Sequence, residues 1–371
     1  MPVRVMIVDD SHFFQTRLKE IIGQNANLQV VAVASNGREA IDLVAKVKPD
    51  IITMDFEMPV MDGVTAVKHI MASDPTPILM FSSLTYEGAR ITLDALAAGA
   101  LDFIPKDFAE VSRNSVSLTQ KLHERLLTLA RQGSSKEESR APQARPSSPQ
   151  QAARPHQHPQ QRPVEAAQRA VAPSNPPAPR KKFSKPKLLV IGASTGGPVA
   201  LTEVLTKLPR NLPLPILLVQ HMPENFTKAF AERLNKQCAI EVREAVDGDV
   251  LRPGVALLAP GGKQMMVDPR GASVKVMPDD DRVNYKPSLD ITFGSAANSF
   301  TDRVLGVVLT GMGSDGCKGA ELLKQKGAQI WSQDEASCVI YGMPMAVARA
   351  NLTDRVLALK DIGPALADEV S

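Results

Sequence analysis

Short apolar runs rich in Val, Ile, Leu and Met punctuate the first 130 residues: "RVMIVDD", "QVVAVAS", "DIITMDF", "PILMFSS" and "LDFIPK". Between them lie stretches whose apolar positions recur at helical spacing: "SHFFQTRLKEIIGQ", "GREAIDLVAKVK", "DGVTAVKHIMAS" and "YEGARITLDALAAG". Runs of the first kind read as buried strands and the second as amphipathic helices. A last helical stretch, "EVSRNSVSLTQKLHERLLTLARQ", follows. Alternation of this kind with short connections predicts a parallel, doubly wound sheet. It resumes near residue 187 with "KLLVIGA", "LPILLVQ", "VALLAP", "SVKVM", "VLGVVLT" and "AQIWSQ" as strands. "PVALTEVLTKL", "FTKAFAERLNK", "LDITFGSAANSF" and "CKGAELLKQKG" read as the helices between them. The expected fold is therefore α/β, with two doubly wound, mostly parallel-sheet domains.

The segment between them breaks the pattern. Residues 131–187 carry 11 of the 29 prolines and almost no large apolar side chains. Such a stretch cannot bury enough surface to fold, so residues 131–186 read as a disordered Pro/Gln-rich linker. Fully flexible, 57 residues span roughly 40 Å. The expected division is a domain at 1–125, the linker, and a second domain at 187–371. "HQH" at 156–158 reads as polar filler within the linker rather than as a metal site.

Charge follows the same division. Net charge is −4 over residues 1–130, +9 over 131–187 and −2 over 188–371, within an overall +3. Neither folded part has the basic face of a nucleic-acid-binding domain. No apolar run reaches membrane-spanning length, and the acids in "MPVRVMIVDD" exclude a signal peptide there, so the expectation is a cytoplasmic protein. Cys238, Cys317 and Cys338 are odd in number and not spaced for a metal, which fits reduced thiols.

In the first domain Asp9 and Asp10 end the first strand and Asp55 ends the third. In a sheet ordered 2-1-3-4-5 those strands are neighbours at the switch point, where ligands bind. Three converging carboxylates need a cation, and hard oxygen ligands suit Mg²⁺. Ser82 ends the fourth strand and Lys106 the fifth, each able to meet a phosphoryl oxygen. At "VDDS", "MDFEMPVMDG", "FSS" and "AGALDFIPK" the chain resembles a response-regulator receiver domain. The resemblance implies a flavodoxin-like fold, Asp55 as phosphoacceptor, and Mg²⁺ held by Asp9, Asp10, Asp55 and the Glu57 carbonyl. It also implies Ser82 and Lys106 as phosphate-sensing residues and Phe103 as the switch aromatic. Asp107 departs from it, standing where the family usually has proline.

In the second domain "IGASTGGP" places Ser194 between a strand and a proline-opened helix. That context suits a nucleophile elbow, a phosphate-binding helix start, or a tight turn. A serine nucleophile needs a base. His221, the sole histidine of this half, directly follows the strand "LPILLVQ", and Asp315 lies in the glycine-rich turn of "LTGMGSDG". The residues alone leave open a serine hydrolase, a nucleotide-binding domain using both glycine-rich loops, and a response regulator with a binding output.

Together, "IGASTGGP", "QHMPENFTKAFAERL", "LAPGGKQM", "YKPSLD", "LTGMGSDG" and "SQDEASCVIYGMP" resemble the catalytic domain of the chemotaxis protein-glutamate methylesterases. A receiver placed before it is also that family's architecture. The resemblance implies a Rossmann-like domain with Ser194 as nucleophile, His221 as base, Asp315 as orienter, and the main-chain N–H groups of Thr195 and Met312 as oxyanion hole. It implies no cofactor in that domain, a histidine kinase as phosphodonor, and methylated chemoreceptor cytoplasmic domains as substrate, with deamidation of receptor glutamines alongside. Gln264 stands where many relatives have histidine. "YKPSLD" reads as a turn and helix start capped by Pro287 and Ser288, with Tyr285 or Lys286 as substrate-facing candidates. Met265, Met266, Met343 and Met345 read as packing residues.

Overall fold

The computed structural model describes residues 1–106, 115–138, 183–278, 283 and 285–370; for 132–138 only the backbone is described. The first domain runs β1 (Val3–Val8), α1 (His12–Gly23), β2 (Leu28–Ala34), α2 (Gly37–Val47), β3 (Ile51–Asp55), α3 (Gly63–Ser73), β4 (Ile78–Ser82), α4 (Tyr86–Ala97), β5 (Asp102–Pro105) and α5 (Val116–Glu138). The five strands are parallel in the expected order β2-β1-β3-β4-β5. Every residue of β3 and β4 is buried, as strands covered on both faces require. Asn36, Asp62 and Thr85 accept the N–H groups of Glu39, Thr65 and Gly88, which fixes where α2, α3 and α4 begin.

Helix α5 continues through Glu138, eight residues into the stretch read as linker, and residue 125 falls inside it. The first proline of that stretch is Pro142, so nothing before it forbids helix. Residues 139–182, with "HQH", and Asp107 lie outside the described residues.

The second domain runs β6 (Leu188–Ala193), α6 (Gly197–Leu205), β7 (Ile216–Gln220), α7 (Glu224–Gln237), β8 (Glu241–Glu244), β9 (Val255–Leu258), β10 (Gln264–Val267), β11 (Val274–Met277), α8 (Leu289–Phe300), β12 (Val304–Val308), α9 (Cys317–Gln325), β13 (Gln329–Gln333), α10 (Met343–Arg349), β14 (Arg355–Leu357) and α11 (Leu359–Val370). Seven parallel strands are ordered β14-β13-β12-β6-β7-β9-β8. Strand β6 thus lies between β12 and β7. "SVKVM" is a strand, but it leaves this sheet: β11 pairs with β10 in a separate antiparallel ribbon.

The domains pack together. Helix α4 lies against α7, and the rings of Phe103 and Phe226 stack at 4.4 Å. Arg233 pairs with Asp94, Tyr86 donates to Glu232, and Asn225 donates to the Leu84 carbonyl at 2.7 Å.

Candidate active site and phosphoacceptor site

Pairing of β1 with β3 brings their C-terminal ends together. There one carboxylate oxygen from each of Asp9, Asp10 and Asp55 lies within 4.8 Å of the others. Asp9 and Asp55 are buried and Asp10 is exposed. Lys106 bridges the buried pair, its Nζ 2.8 Å from Asp9 Oδ2 and 2.8 Å from Asp55 Oδ2. Burial pushes the Asp55 pKa up to about 6; Lys106 opposes the rise and the Asp9 charge adds to it. Asp9 is raised for the same first reason, and the two carboxylates hold the Lys106 ammonium above its ordinary value despite its burial. Hard oxygens grouped around an open edge suit a divalent cation that keeps several waters. The Glu57 carbonyl lies two residues beyond Asp55 and accepts no hydrogen bond among the described residues.

Ser82 differs. It ends β4, but its fully buried hydroxyl faces the start of α4, 3.3 Å from the Gly88 carbonyl and bonded by Thr92 Oγ1. It is not paired with the acid cluster. Phe103 is buried against Phe226 of the second domain.

The second crevice is assembled by β6 and its two neighbours. Ala193 pairs with Gln220, so the next residues, Ser194 and His221, leave adjacent strands side by side. The His221 N–H donates to the Ala193 carbonyl at 3.2 Å. On the other flank β12 pairs with β6, and its following loop carries Asp315. The Ser194 N–H donates to the Thr310 carbonyl at 3.0 Å, and Gln220 Nε2 holds the Ser194 carbonyl at 2.9 Å. A Cβ added at Gly311 would sit 2.8 Å from that of Ser194, so the loop needs glycine to pass so close. Gly196, with φ +76°, makes the left-handed turn into α6.

His221 Nε2 lies 2.7 Å from Asp315 Oδ2, while its buried Nδ1 has no hydrogen-bond partner. Asp315 also accepts the Leu289 N–H at 2.7 Å, the Ser288 hydroxyl at 2.8 Å and the Asp290 N–H at 3.1 Å. Burial raises its pKa, but the hydrogen bond and charge of His221 and the two α8 amides outweigh that, leaving it below the ordinary carboxylate value. Ser288 occupies the N-cap position of α8 without capping it. The stronger acceptor, the Asp315 carboxylate, takes the helix amides instead, and Ser288 donates to it.

The N–H groups of Thr195 and Met312 make no hydrogen bond among the described residues. The Tyr285 ring stacks on His221, with centroids 4.4 Å apart. Gln264, buried on β10, donates to the Tyr285 carbonyl at 2.7 Å and accepts the Ser288 N–H at 2.9 Å. The first domain reaches this crevice directly: Thr195 Oγ1 donates to Asp102 Oδ2 at 2.7 Å, and Arg125 pairs with the same carboxylate. Met265 and Met343 are fully buried, as packing residues are. All three cysteines are free, and burial pushes the Cys338 thiol up to about 12. Sequence reasoning singled out Gln264 but not its tie to Tyr285 and Ser288, and it missed Ser288 as a partner of Asp315 and Asp102 as a partner of Thr195. Only the neighbouring motifs hinted at them.

The sequence profile described as "CheB methylesterase" matches residues 189–366, and that of the "Response regulator receiver domain" matches residues 5–113. A protein-glutamate methylesterase/protein-glutamine glutaminase of Saccharophagus degradans is 54% identical over 371 residues, covering 100% of both chains. One from Pseudomonas fluorescens is 59% identical, covering 99% of both. The crystal structure of the Thermotoga maritima CheB methylesterase catalytic domain is 37% identical, covering 50% of this chain and 99% of that one, with a TM-score of 0.48. With a relative 54% identical over the whole of both chains, the chain belongs to the protein-glutamate methylesterase/protein-glutamine glutaminase family.

Proposed function

We propose that this chain hydrolyses methyl esters of glutamate side chains on chemoreceptor cytoplasmic domains, and deamidates receptor glutamines with the same residues. The observation that carries the reading is the His221–Asp315 pair beside Ser194, with one imidazole nitrogen bonded to Asp315 and the other unpartnered. His221 Nδ1 takes the Ser194 proton as Oγ attacks the ester carbonyl. Thr195 and Met312 offer their N–H groups to the oxyanion, a contribution worth about 3–4 kcal/mol per donor in comparable sites. The imidazolium then returns its proton to the leaving methoxide, releasing methanol. Water, deprotonated by the same nitrogen, frees the acyl group. Asp315 stays ionised throughout, fixes the ring and stabilises its charged form.

The receiver controls this site. A histidine kinase supplies the phosphoryl group, and Asp55 accepts it. Asp9, Asp10, Asp55 and the Glu57 carbonyl would hold Mg²⁺, which supplies charge neutralisation for the phosphoryl oxygens. Lys106 pairs with the phosphorylated side chain, and Ser82 does so once its hydroxyl turns from Gly88. Unphosphorylated, the receiver lies over the crevice, where Asp102 binds Thr195 and Ser194 is 7% exposed. Phosphorylation releases that contact. The protein works in the cytoplasm, where kinase and receptor domains meet.

The test is methanol release from methylated receptors by the full chain, with and without a small-molecule phosphodonor. Stimulation by the phosphodonor and loss of turnover in Ser194→Ala are expected. Retained turnover in that variant sinks the nucleophile assignment. Labelling of Ser194 by a fluorophosphonate separates an esterase from a nucleotide-binding domain.

A further inference from the structure

A base must present one fixed nitrogen to its nucleophile. The Asp315 bond fixes His221 Nε2 but still permits the ring to swing about that contact. What blocks the swing is the Tyr285 ring, lying 12° from parallel at a centroid distance of 4.4 Å. The Tyr285 hydroxyl makes no hydrogen bond among the described residues, so the ring is the part in use.

Tyr285 is held from its main chain. Its carbonyl accepts Gln264 Nε2 at 2.7 Å, and Gln264 Oε1 accepts the Ser288 N–H at 2.9 Å. An amide side chain offers an uncharged donor and acceptor side by side, as such a bridge needs. Ser288 in turn donates to Asp315 Oδ1 at 2.8 Å. One buried amide therefore steadies both the plate over the imidazole and a donor to its carboxylate. Gln264 is itself anchored: β10 pairs with β11, and the Met265 carbonyl and Val267 N–H bond to Thr292 and Ser295 of α8. This gives the ribbon outside the main sheet a purpose.

We infer that Tyr285 is a positioning residue for the His221 base and that Gln264 locks it in place. The inference rests on the reading of His221 as base. Two effects follow. The plate fixes the plane of the imidazole and with it the unpartnered Nδ1, and the imidazolium formed in catalysis gains attraction from the aromatic face. The charged groups around the ring are Asp315 at its Nε2 edge and Asp290 beyond it. Glu124 and Arg125 of α5 act on Tyr285 with opposite signs.

The experiment uses the full chain with Mg²⁺ and a small-molecule phosphodonor, measuring methanol release against pH. Tyr285→Phe keeps the plate, so kcat and the acid limb of kcat/KM are expected to match the parent. Tyr285→Leu keeps burial but removes the aromatic face. Its kcat is expected to fall about tenfold, and the acid limb to move about half a pH unit lower. Gln264→Leu is expected to reproduce that loss, and the double variant to add little to either single one. Gln264→Met, close to glutamine in shape but without donor or acceptor, serves if the leucine variant does not fold.

Equal losses in the Phe and Leu variants would show that the hydroxyl works on substrate and would overturn the inference. So would a Leu variant with raised KM but unchanged kcat and pH limb. His221→Ala is the separate control. Activity surviving in that variant defeats the base assignment itself. If His221→Ala is dead while Tyr285→Leu is normal, only the present inference fails.

Discussion

Asp55 and Asp315 are the same residue in the same kind of place. Both lie at the carboxyl end of a parallel sheet, Asp55 as the last residue of β3 and Asp315 in the loop after β12, and each is 4% exposed. Yet the Asp55 pKa is pushed up to about 6 while that of Asp315 is lowered. Burial raises both, so burial does not decide. The donors do. Asp315 receives two main-chain amides, a hydroxyl and an imidazole, whereas Asp55 has Lys106 and the Phe56 amide and must share the lysine with a second carboxylate. One crevice completes its anion from within. The other leaves its anions short of positive charge, which is the condition for admitting a metal and a phosphoryl group.

The sharpest way to break this contrast is to remove each charge in turn. Asp315→Asn is expected to lower kcat for methanol release by about four orders of magnitude, because the amide cannot hold the imidazole in the productive tautomer. Asp55→Asn is expected to leave basal turnover intact and abolish all stimulation by a phosphodonor. Chelating divalent cations is expected to mimic Asp55→Asn in the parent, again without touching basal turnover. If chelation instead stops basal turnover, the two crevices are not independent.

A smaller effect tests their connection. Asp102→Asn weakens a charged hydrogen bond to Thr195 and is expected to raise basal turnover of the unphosphorylated chain roughly fivefold. Unchanged basal turnover would show that this contact does not hold the domains closed.

The smallest effect is in stability, and its sign differs between the two aspartates. The folded pKa of Asp55 lies above the unfolded value of about 3.9, so its ionised form is the unfavourable one. The penalty is absent below about pH 4, grows as pH rises through about 6, and is constant above. In metal-free protein, Asp55→Asn is expected to stabilise the receiver by roughly 2–3 kcal/mol at pH 7.5 and not at pH 4. Asp315 contributes stability that is fully present above the unfolded pKa and lost as pH falls through its lowered folded pKa. Asp315→Asn is therefore expected to be destabilising at pH 7.5, with the gap to the parent closing on acidification. Urea midpoints measured at several pH values check both.

Much of this was legible in the sequence. The receiver strands announced themselves as Val- and Ile-rich runs, and their order followed from the doubly wound pattern. Ser194, His221 and Asp315 each followed an apolar run, so meeting at one sheet edge was foreseeable. Strands β8 and β14 were not, because "EVRE" and "RVL" are short, partly exposed edge strands. The β10–β11 ribbon was half seen, since "SVKVM" looks like any strand and pairing is a tertiary outcome. Asp102 was invisible as a partner of Thr195. That bond joins residues 93 apart in different domains, and no local pattern encodes it. Ser82 faces α4 because Thr92 donates to its hydroxyl and the Gly88 carbonyl accepts from it.

The flanking of β6 by β7 and β12 reaches beyond this reaction. Proximity in the esterase crevice is lateral: His221 and Asp315 each follow a strand adjacent to the one that carries Ser194, and the connections run elsewhere. The order in which the groups occur along the polypeptide is thus free to vary. A gene cut in the turn between α6 and β7, and rejoined through new termini, would deliver the same three side chains to the same edge. Insertions in those connections are likewise invisible to the chemistry. The crevice is inherited as a neighbourhood in a sheet, and its linear sequence order is an accident of wiring.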